Sequence, residues 1–220
     1  MSLFVHKSVD MLARMIDFQL LHADEALIVV DKPAGLLAVP GRGDAGRDCL
    51  SARVHQMHAD ALIVHRLDQA TSGLMLFALG VNMQRALSMA FESRSVHKRY
   101  VAIVAGCIHG DEGEINAPLA ADWPNRPRQQ VNVERGKASL TRWRVLERGD
   151  NWTRLDLEPV TGRTHQLRVH LMSIGHPIIG DRLYDAPLDD AQRLMLHAAR
   201  LELPHPLHQR ACLFESAVPF

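Results

Sequence analysis

The chain has 220 residues, of which 47% are hydrophobic and 23% are charged, so it can bury a sizeable core and wholesale disorder is not expected. Its 25 basic and 25 acidic residues cancel to a formal net charge of zero, which argues against a general nucleic-acid coat protein. The sequence contains no run of 18 apolar residues, so no membrane span is predicted. The N-terminus also lacks the apolar region of a signal peptide. Three widely separated cysteines indicate reduced thiols, and we therefore expect a cytoplasmic protein.

The first half of the chain is predicted to form short strands with two helices between them. β-branched or alternating apolar runs predict strands over residues 26–30, 36–40, 61–64, 74–79 and 97–106. Apolar spacing predicts helices over 47–58 and 81–93, and in the second of these Met83, Leu87 and Ala90 lie on one face.

The second half of the chain is also predicted to consist mainly of short strands. Strands are predicted over residues 140–146, 152–157, 194–203 and 212–218. Thr164 is the predicted N-cap of a helix over 165–174. Strand and helix do not alternate regularly, so we predict an α+β fold: a mixed, mostly antiparallel sheet with a few flanking helices. Residues 1–20 are expected to form a loose N-terminal arm, followed by one domain over 21–220.

A polar stretch separates the strands predicted over 61–64 and 74–79. It reads His65-Arg66-Leu67-Asp68-Gln69-Ala70-Thr71-Ser72-Gly73. Short polar side chains and Gly are turn formers, so Asp68 has a simple interpretation as part of a connection. The alternative is a catalytic carboxylate that two rigid strands hold at the mouth of a cleft. His65 is expected to make a structural hydrogen bond.

Three further segments stand out beside this stretch. They are Asp31-Lys32-Pro33-Ala34-Gly35, Lys98-Arg99-Tyr100 and Thr161-Gly162-Arg163-Thr164-His165-Gln166-Leu167-Arg168. Together the four resemble, in order and spacing over roughly residues 24–218, the motifs of the RluA family of pseudouridine synthases. The segment 122–127 further resembles a subgroup of that family that acts on 23S rRNA and on tRNA. About twenty residues are too few for a separate RNA-binding domain ahead of the catalytic one, so we expect the catalytic domain itself to recognise RNA.

The resemblance implies the isomerisation of a uridine in a stem-loop of 23S rRNA, tRNA or both, at a central RNA-binding cleft. This reaction breaks the bond from ribose C1′ to uracil N1 and joins C1′ to C5. Nothing is added or lost, so no cofactor is expected; the histidines and cysteines show no metal-ligand spacing. Breaking the bond develops positive charge at the sugar, which one ionised carboxylate can stabilise or capture.

The resemblance also assigns roles to three catalytic side chains. Asp68 is the nucleophile, whether it attacks the sugar or the base. Arg163 is expected to pair with Asp68 and hold the carboxylate ionised in an apolar cleft. Tyr100 is expected to stack on the extruded uracil and to assist the removal of the proton from C5. The alternatives are a surface arginine at a helix end and a core tyrosine with its hydroxyl at the rim.

RNA binding is predicted to involve basic and aromatic side chains around the cleft. Arg66 is expected to fill the space that the extruded base leaves. Basic residues outnumber acidic ones over residues 125–148, and this stretch is the predicted RNA path, although a charge cluster can also be a solvated face. The remaining residues assigned to RNA binding are Trp123, Arg126, Arg128 and Arg168. RNA is the only expected partner, with no membrane and no required protein, and we expect a monomer.

Two other classes of function compete with this interpretation. The first is a catalytically silent RNA-binding or RNA-chaperone module of the same fold. The second is a hydrolase. An aspartic protease needs a second acidic loop that shares a proton with the first, and no second copy of the loop occurs in the sequence. A glycosidase needs a second placed carboxylate, which the motifs do not supply.

Overall fold

A computed structural model describes residues 18–41, 43, 46–184 and 191–220. Within these ranges the strands are β1 Gln19–Ala23, β2 Leu27–Lys32, β3 Ala61–Ile63, β4 Ser72–Leu79, β5 His97–Ala105, β6 Glu112–Asn116, β7 Leu119–Ala121, β8 Gln129–Val131, β9 Leu140–Arg148, β10 Trp152–Pro159, β11 Leu196–Pro204 and β12 Ala211–Glu215. The helices are α1 Leu50–Met57, α2 Gly80–Glu92 and α3 Gln166–Ser173. The predicted N-terminal arm over 1–20 lies outside the described residues, apart from its last three.

One sheet organises the described part of the chain. Eight strands run in the order β1-β2-β4-β11-β5-β10-β9-β6, with β3 paired to β4 and β12 paired to β11, while β7 and β8 form a separate hairpin. Among the described strand pairs only β4 with β11 is parallel. The α+β class and the mostly antiparallel sheet are confirmed.

The parallel pair lies in the middle of the sheet and requires a glycine. Gly73 has a φ of 112°, and a Cβ added to it would lie 2.4 Å from the carbonyl oxygen of Ala198 on β11. No larger residue fits this close approach of two backbones. The Thr-Ser-Gly end of the polar stretch is therefore the place where β4 begins against β11, and the residues just before it lie at the centre of the fold.

The helices pack as amphipathic elements against this sheet. Met83, Leu87 and Ala90 of α2 contact a cluster that includes Leu27 and Leu76, which confirms the predicted apolar face. Helix α1 buries Leu50 and Val54, and α3 buries Leu167 and Leu171 against β5, β10 and β11. Ala70, in the polar stretch that leads into β4, packs against the same cluster.

Two predictions about local structure are wrong. Residues 36–40 form no strand and keep one isolated bridge, from Leu37 to Cys49. The buried Lys32 side chain folds this segment into a turn, since its Nζ donates to the carbonyls of Pro33 and Leu36, both at 2.8 Å. Thr164 is not the N-cap of α3. The cap is His165, whose backbone has a φ of 54° and whose side chain makes no capping hydrogen bond.

Candidate active site

Asp68 is both a turn residue and a cleft residue. The backbone N–H of Thr71 donates to the Asp68 carbonyl at 3.1 Å and closes a turn into β4. Lys32 Nζ donates to the next carbonyl, that of Gln69, at 3.1 Å. Burial lowers the pKa of Lys32 to about 8, although the Asp68 charge opposes the shift. The backbone around Asp68 is thus fixed from both sides, and its side chain points into a cavity.

Arg168 is the arginine that pairs with Asp68. Its Nη1 lies 3.3 Å from Asp68 Oδ2, while its Nε and Nη2 each lie 2.7 Å from an oxygen of Asp181. The side chains of Arg168 and Asp181 are only 4% and 1% exposed. Burial alone would lower the pKa of Arg168, but the Asp181 and Asp68 carboxylates raise it. The guanidinium is therefore permanently charged and held in one orientation beside Asp68.

This geometry corrects two expectations. The pair expected between Arg163 and Asp68 is absent: Arg163 is exposed, lines the same cavity, and donates from Nε to the carbonyl of Ala138 at 3.4 Å. Arg168, assigned to RNA binding, is buried between two carboxylates and has no exposed face for a phosphate. Arg168 lies in the first turn of α3, and its two bonds to Asp181 hold the guanidinium beside Asp68.

Tyr100 is a half-buried residue of β5. Together with Asp68 it lines a cavity of about 610 Å³. The apolar part of the cavity wall includes Leu67, Val96 and Leu196. This volume is in the range of small-molecule sites and accommodates a nucleoside. Burial and the neighbouring Asp68 charge raise the pKa of Tyr100, so its hydroxyl stays protonated at neutral pH.

A second cavity, of about 1070 Å³, opens on the other side of Asp68. Residues that line both cavities are Arg66, Asp68, His165 and Arg168. Arg66 is exposed whereas its neighbour Leu67 is buried, so the two side chains point in opposite directions as an extended segment requires. The two cavities form one cleft with the Asp68 carboxylate at its middle.

Sequence reasoning missed the polar groups that surround Arg168. His165 Nδ1 lies 2.7 Å from the hydroxyl of Tyr184, and His165 Nε2 lies 3.8 Å from Asp68 Oδ2. Tyr184 also supports the guanidinium of Arg168, which lies 5.1 Å from the ring centroid. His165 lies inside a motif, but nothing in its position distinguishes it from the other residues of the predicted helix. Asp181 and Tyr184 lie beyond all four motifs and carry no sequence signal.

His65 has the structural role that was expected. The backbone N–H of Leu76 on β4 donates to His65 Nε2 at 2.9 Å, and the ring stacks on Phe91. Burial, with a smaller contribution from Lys98, lowers the pKa of His65 to about 3. The imidazole is therefore neutral and fastens the polar stretch to the neighbouring strand.

The basic stretch over 125–148 does not form one surface. Arg126 lines the second cavity, and its guanidinium lies 3.3 Å from the ring centroid of Trp123, which is 69% exposed. Arg128 lies over the Tyr184 ring at 5.4 Å. Arg144 pairs with Asp156 on the face of the sheet opposite Tyr100, and Arg148 pairs with Asp111. The expectation that the whole stretch is an RNA path is therefore wrong, and Arg126 with Trp123 is the part beside the cleft.

The geometry agrees with comparisons to known proteins. Residues 26–173 match a family model described as RNA pseudouridylate synthase. The dual-specificity RNA pseudouridine synthase RluA of Vibrio cholerae serotype O1 is 50% identical over 188 residues, which cover 84% of this chain and 77% of that protein. The protein of the same name from Escherichia coli K12 is 44% identical over 204 residues, 91% of this chain and 93% of the relative. The solved structure of human RNA pseudouridylate synthase domain containing 1 has a TM-score of 0.79 at 28% identity, covering 94% of this chain and 85% of that one.

Proposed function

This chain belongs to the RNA pseudouridylate synthase family and is an RNA pseudouridine synthase, an isomerase; from that premise we propose which residues carry the reaction and which RNA is modified. The alternative of a catalytically silent RNA-binding module has no support in these matches. One observation carries the proposal: the Asp68 carboxylate lies in the middle of the cleft, ion-paired with a buried arginine and in one cavity with Tyr100.

Asp68 is the proposed nucleophile. The extruded uridine enters the cavity that holds Tyr100, and the carboxylate attacks it so that the bond from C1′ to N1 breaks and C1′ is joined to C5. The same carboxylate serves whether the sugar or the base is attacked. Arg168 holds the carboxylate in place, and the apolar wall of the cavity keeps water from trapping the sugar intermediate. Arg163, at the exposed edge of the cavity, is a candidate for contact with the RNA backbone.

Tyr100 is proposed to act twice. Its ring stacks on the uracil, and its hydroxyl relays the proton that leaves C5 once the bond from C1′ to C5 has formed. The raised pKa of Tyr100 supports a relay rather than a free base, because the hydroxyl takes up a proton only while it passes its own to a neighbour such as Asp68.

Substitution Tyr100→Phe separates these two actions. Because the ring is retained and the hydroxyl is lost, we expect single-turnover product formation to fall by roughly 10²- to 10⁴-fold while the Kd for RNA hardly changes. The measurement is tritium release from RNA labelled at uridine C5, alongside filter binding. The matched variant Tyr100→Leu also loses stacking and should weaken binding. A Tyr100→Phe protein as fast as wild type would remove the hydroxyl from the mechanism.

The proposed substrate is a short stem-loop of 23S rRNA, tRNA or both, with the target uridine in the loop. Relatives with 44 and 50% identity are named dual-specificity RNA pseudouridine synthases. A base must leave its stack to reach Asp68, and loop bases leave at lower cost than paired ones. Arg66, exposed at the junction of the two cavities, is placed to occupy the space left behind.

Trp123 and Arg126 are proposed to bind the RNA strand that leaves the cleft. Arg126→Ala should weaken stem-loop binding and reduce the log-log salt slope by about one unit, the loss of one phosphate contact. Trp123→Ala should weaken binding with little change in slope, because it removes a stacking surface and no charge. Arg144→Ala is the control, since Arg144 pairs with Asp156 on the opposite face. An equal slope change in Arg126→Ala and Arg144→Ala would place the RNA elsewhere.

The function itself is tested with the purified protein and RNA labelled with tritium at uridine C5. Tritium is released to water when C5 becomes bonded to C1′. We expect release from a stem-loop and none from the same sequence in a fully paired duplex. Release from both at equal rates would contradict the proposed loop preference.

We further propose a monomeric cytoplasmic enzyme with one catalytic domain over 21–220. Cys49, Cys107 and Cys212 are free thiols, which supports a reducing compartment. In the described part of the chain, no helix combines the length and hydropathy that crossing a membrane requires. Sedimentation of the protein with and without RNA tests the monomer.

A further inference from the structure

His165 has an unusual backbone at the point where the cleft is most crowded. Its φ of 54° and ψ of 18° lie in the left-handed region, which only a few per cent of non-glycine residues adopt, with Asn, Asp and His the most frequent among them. Such conformations persist where the surroundings hold them and cluster at functional sites. Here the side chain of Gln166 anchors the segment, since its Oε1 accepts the backbone N–H of Arg163 at 3.0 Å and the hydroxyl of Thr161 at 2.7 Å. The result is that a 10% exposed imidazole lines both cavities beside Asp68.

The Tyr184 hydroxyl decides which ring nitrogen of His165 carries the proton. This hydroxyl accepts the backbone N–H of Gln129 at 2.8 Å. Among the described residues, the acceptor available for its own proton is His165 Nδ1, at 2.7 Å. Nδ1 is then an acceptor, and the hydrogen sits on Nε2, the atom that faces Asp68. The other tautomer would direct a lone pair at a carboxylate.

Within the described residues, both ionic contacts of the Asp68 side chain are made at one of its two oxygens. Arg168 Nη1 lies 3.3 Å and His165 Nε2 lies 3.8 Å from the same atom, Oδ2. At 3.8 Å the imidazole is in electrostatic contact but does not yet form a hydrogen bond. Catalytic hydrogen bonds are often long before substrate binds and tighten in the complex. With Arg168 and His165 both beside Oδ2, Oδ1 is the oxygen that can be presented to a nucleoside.

The charges around His165 favour a neutral ring. Asp68, Arg168, Asp181 and Arg66 face the imidazole, with the Tyr184 hydroxyl behind it. Burial lowers the pKa of His165, and the two arginines add to this effect while the two carboxylates oppose it. At neutral pH the ring therefore donates a hydrogen without adding a positive charge that would bind the carboxylate more tightly.

We propose that His165 is a positioning residue for the isomerisation: its Nε2–H, directed by Tyr184, fixes Oδ2 of Asp68 so that Oδ1 is presented to the target nucleoside. This role rests on the proposed function of Asp68 as the nucleophile. It acts on the orientation of the carboxylate and not on the affinity for RNA.

Two variants at this position test the role. His165→Asn suits the left-handed backbone and can still meet Tyr184, but it is too short to reach Asp68. His165→Gln places an amide N–H near the position of Nε2. We expect kcat of His165→Asn to fall by up to about 10²-fold, the cost of misplacing a reacting group, with an unchanged KM for a stem-loop. His165→Gln should recover much of the loss.

The pH profile supplies a readout that a merely structural role would not move. In the wild-type protein, protonation of His165 pairs a cation with the Asp68 carboxylate and makes it a poorer nucleophile. Because the pKa is lowered, kcat should decline only below the ordinary histidine value of about 6.5. The His165→Asn profile should lack that decline. Tyr184→Phe, which loses the proton that sets the tautomer, should reduce kcat while a thermal melt shows the protein folded.

A His165→Asn protein with wild-type kcat would overturn the inference. The inference would also be overturned if His165→Asn raised the KM for the stem-loop and His165→Gln did not restore it, since that result would indicate that His165 contacts the RNA. Tritium release by the wild-type protein, measured in parallel, distinguishes failure of the proposed function from failure of the His165 positioning role. If the wild type releases none, the proposed function fails as well; if it is active and the His165 variants match it, only the positioning role fails.

Discussion

The Asp68→Asn protein will release no measurable tritium from stem-loop RNA, a loss on the order of 10⁴-fold or more, as expected when the nucleophile of a covalent mechanism is removed. Asn has the shape of Asp but no negative charge. The turn into β4 depends on the backbone carbonyl of residue 68, which the substitution keeps. Arg168 retains its two bonds to Asp181, so the buried charge stays paired. The change in the free energy of unfolding should stay within about 1 kcal/mol, because the lost ion pair is partly exposed.

RNA affinity is the control for this substitution. The surfaces proposed to bind RNA, around Arg66 and Arg126, do not depend on Asp68, so the Kd for a stem-loop should remain close to that of the wild type. Turnover by a purified Asp68→Asn protein, free of wild-type enzyme, would contradict the nucleophilic role. Loss of both binding and turnover would indicate a structural role instead.

The second large effect is expected at Arg168. Substitution Arg168→Met removes the only arginine that pairs with Asp68 among the described residues and leaves the 1% exposed Asp181 without its bidentate partner. Breaking a buried pair in this way costs roughly 3–5 kcal/mol of unfolding free energy. Activity should be lost as well, since Asp68 loses its orienting cation. Urea unfolding and tritium release measure the two effects.

Two matched variants separate stability from catalysis at this pair. Arg163→Met removes an exposed arginine from the edge of the same cavity and should change the unfolding free energy by less than about 1 kcal/mol. The double variant Arg168→Met with Asp181→Asn removes both buried charges and should recover much of the stability, but no activity. A double variant that regains activity would show that Arg168 acts on the fold alone. Equal destabilisation by Arg163→Met and Arg168→Met would contradict the assignment of the pair.

Local patterns in the sequence identify the reactive side chains better than they identify the residues that contact those side chains. The polar stretch between two apolar runs contains Asp68, and the alternating run over 97–106 places Tyr100 on a strand. The resemblance to the family implies Arg163 as the partner of Asp68, whereas the structure pairs Asp68 with Arg168. The Arg168 guanidinium is held beside Asp68 by its two bonds to Asp181, thirteen residues further along the chain, and a contact of this kind leaves no periodic signal.

Long-range contacts also explain the other differences. The run at 36–40 has the composition of a strand. The buried Lys32 amino group donates a hydrogen bond to the carbonyl of Leu36, and the segment bends there instead of forming a strand. The basic stretch over 125–148 looks continuous in sequence. In its strand part, Arg144 pairs with Asp156 of the neighbouring strand on the face of the sheet opposite Tyr100. Charge density along a chain therefore did not predict a charged surface.

The most direct test of the central claim is pseudouridine mapping of total RNA from cells that contain this protein, cells that lack it, and cells that carry Asp68→Asn in its place. We expect at least one pseudouridine in a loop of 23S rRNA or tRNA to be present with the wild-type protein and missing from both other strains. A map that is identical in all three strains, or a site that Asp68→Asn restores, would contradict the assignment of this cleft as a pseudouridine synthase site with Asp68 as its nucleophile.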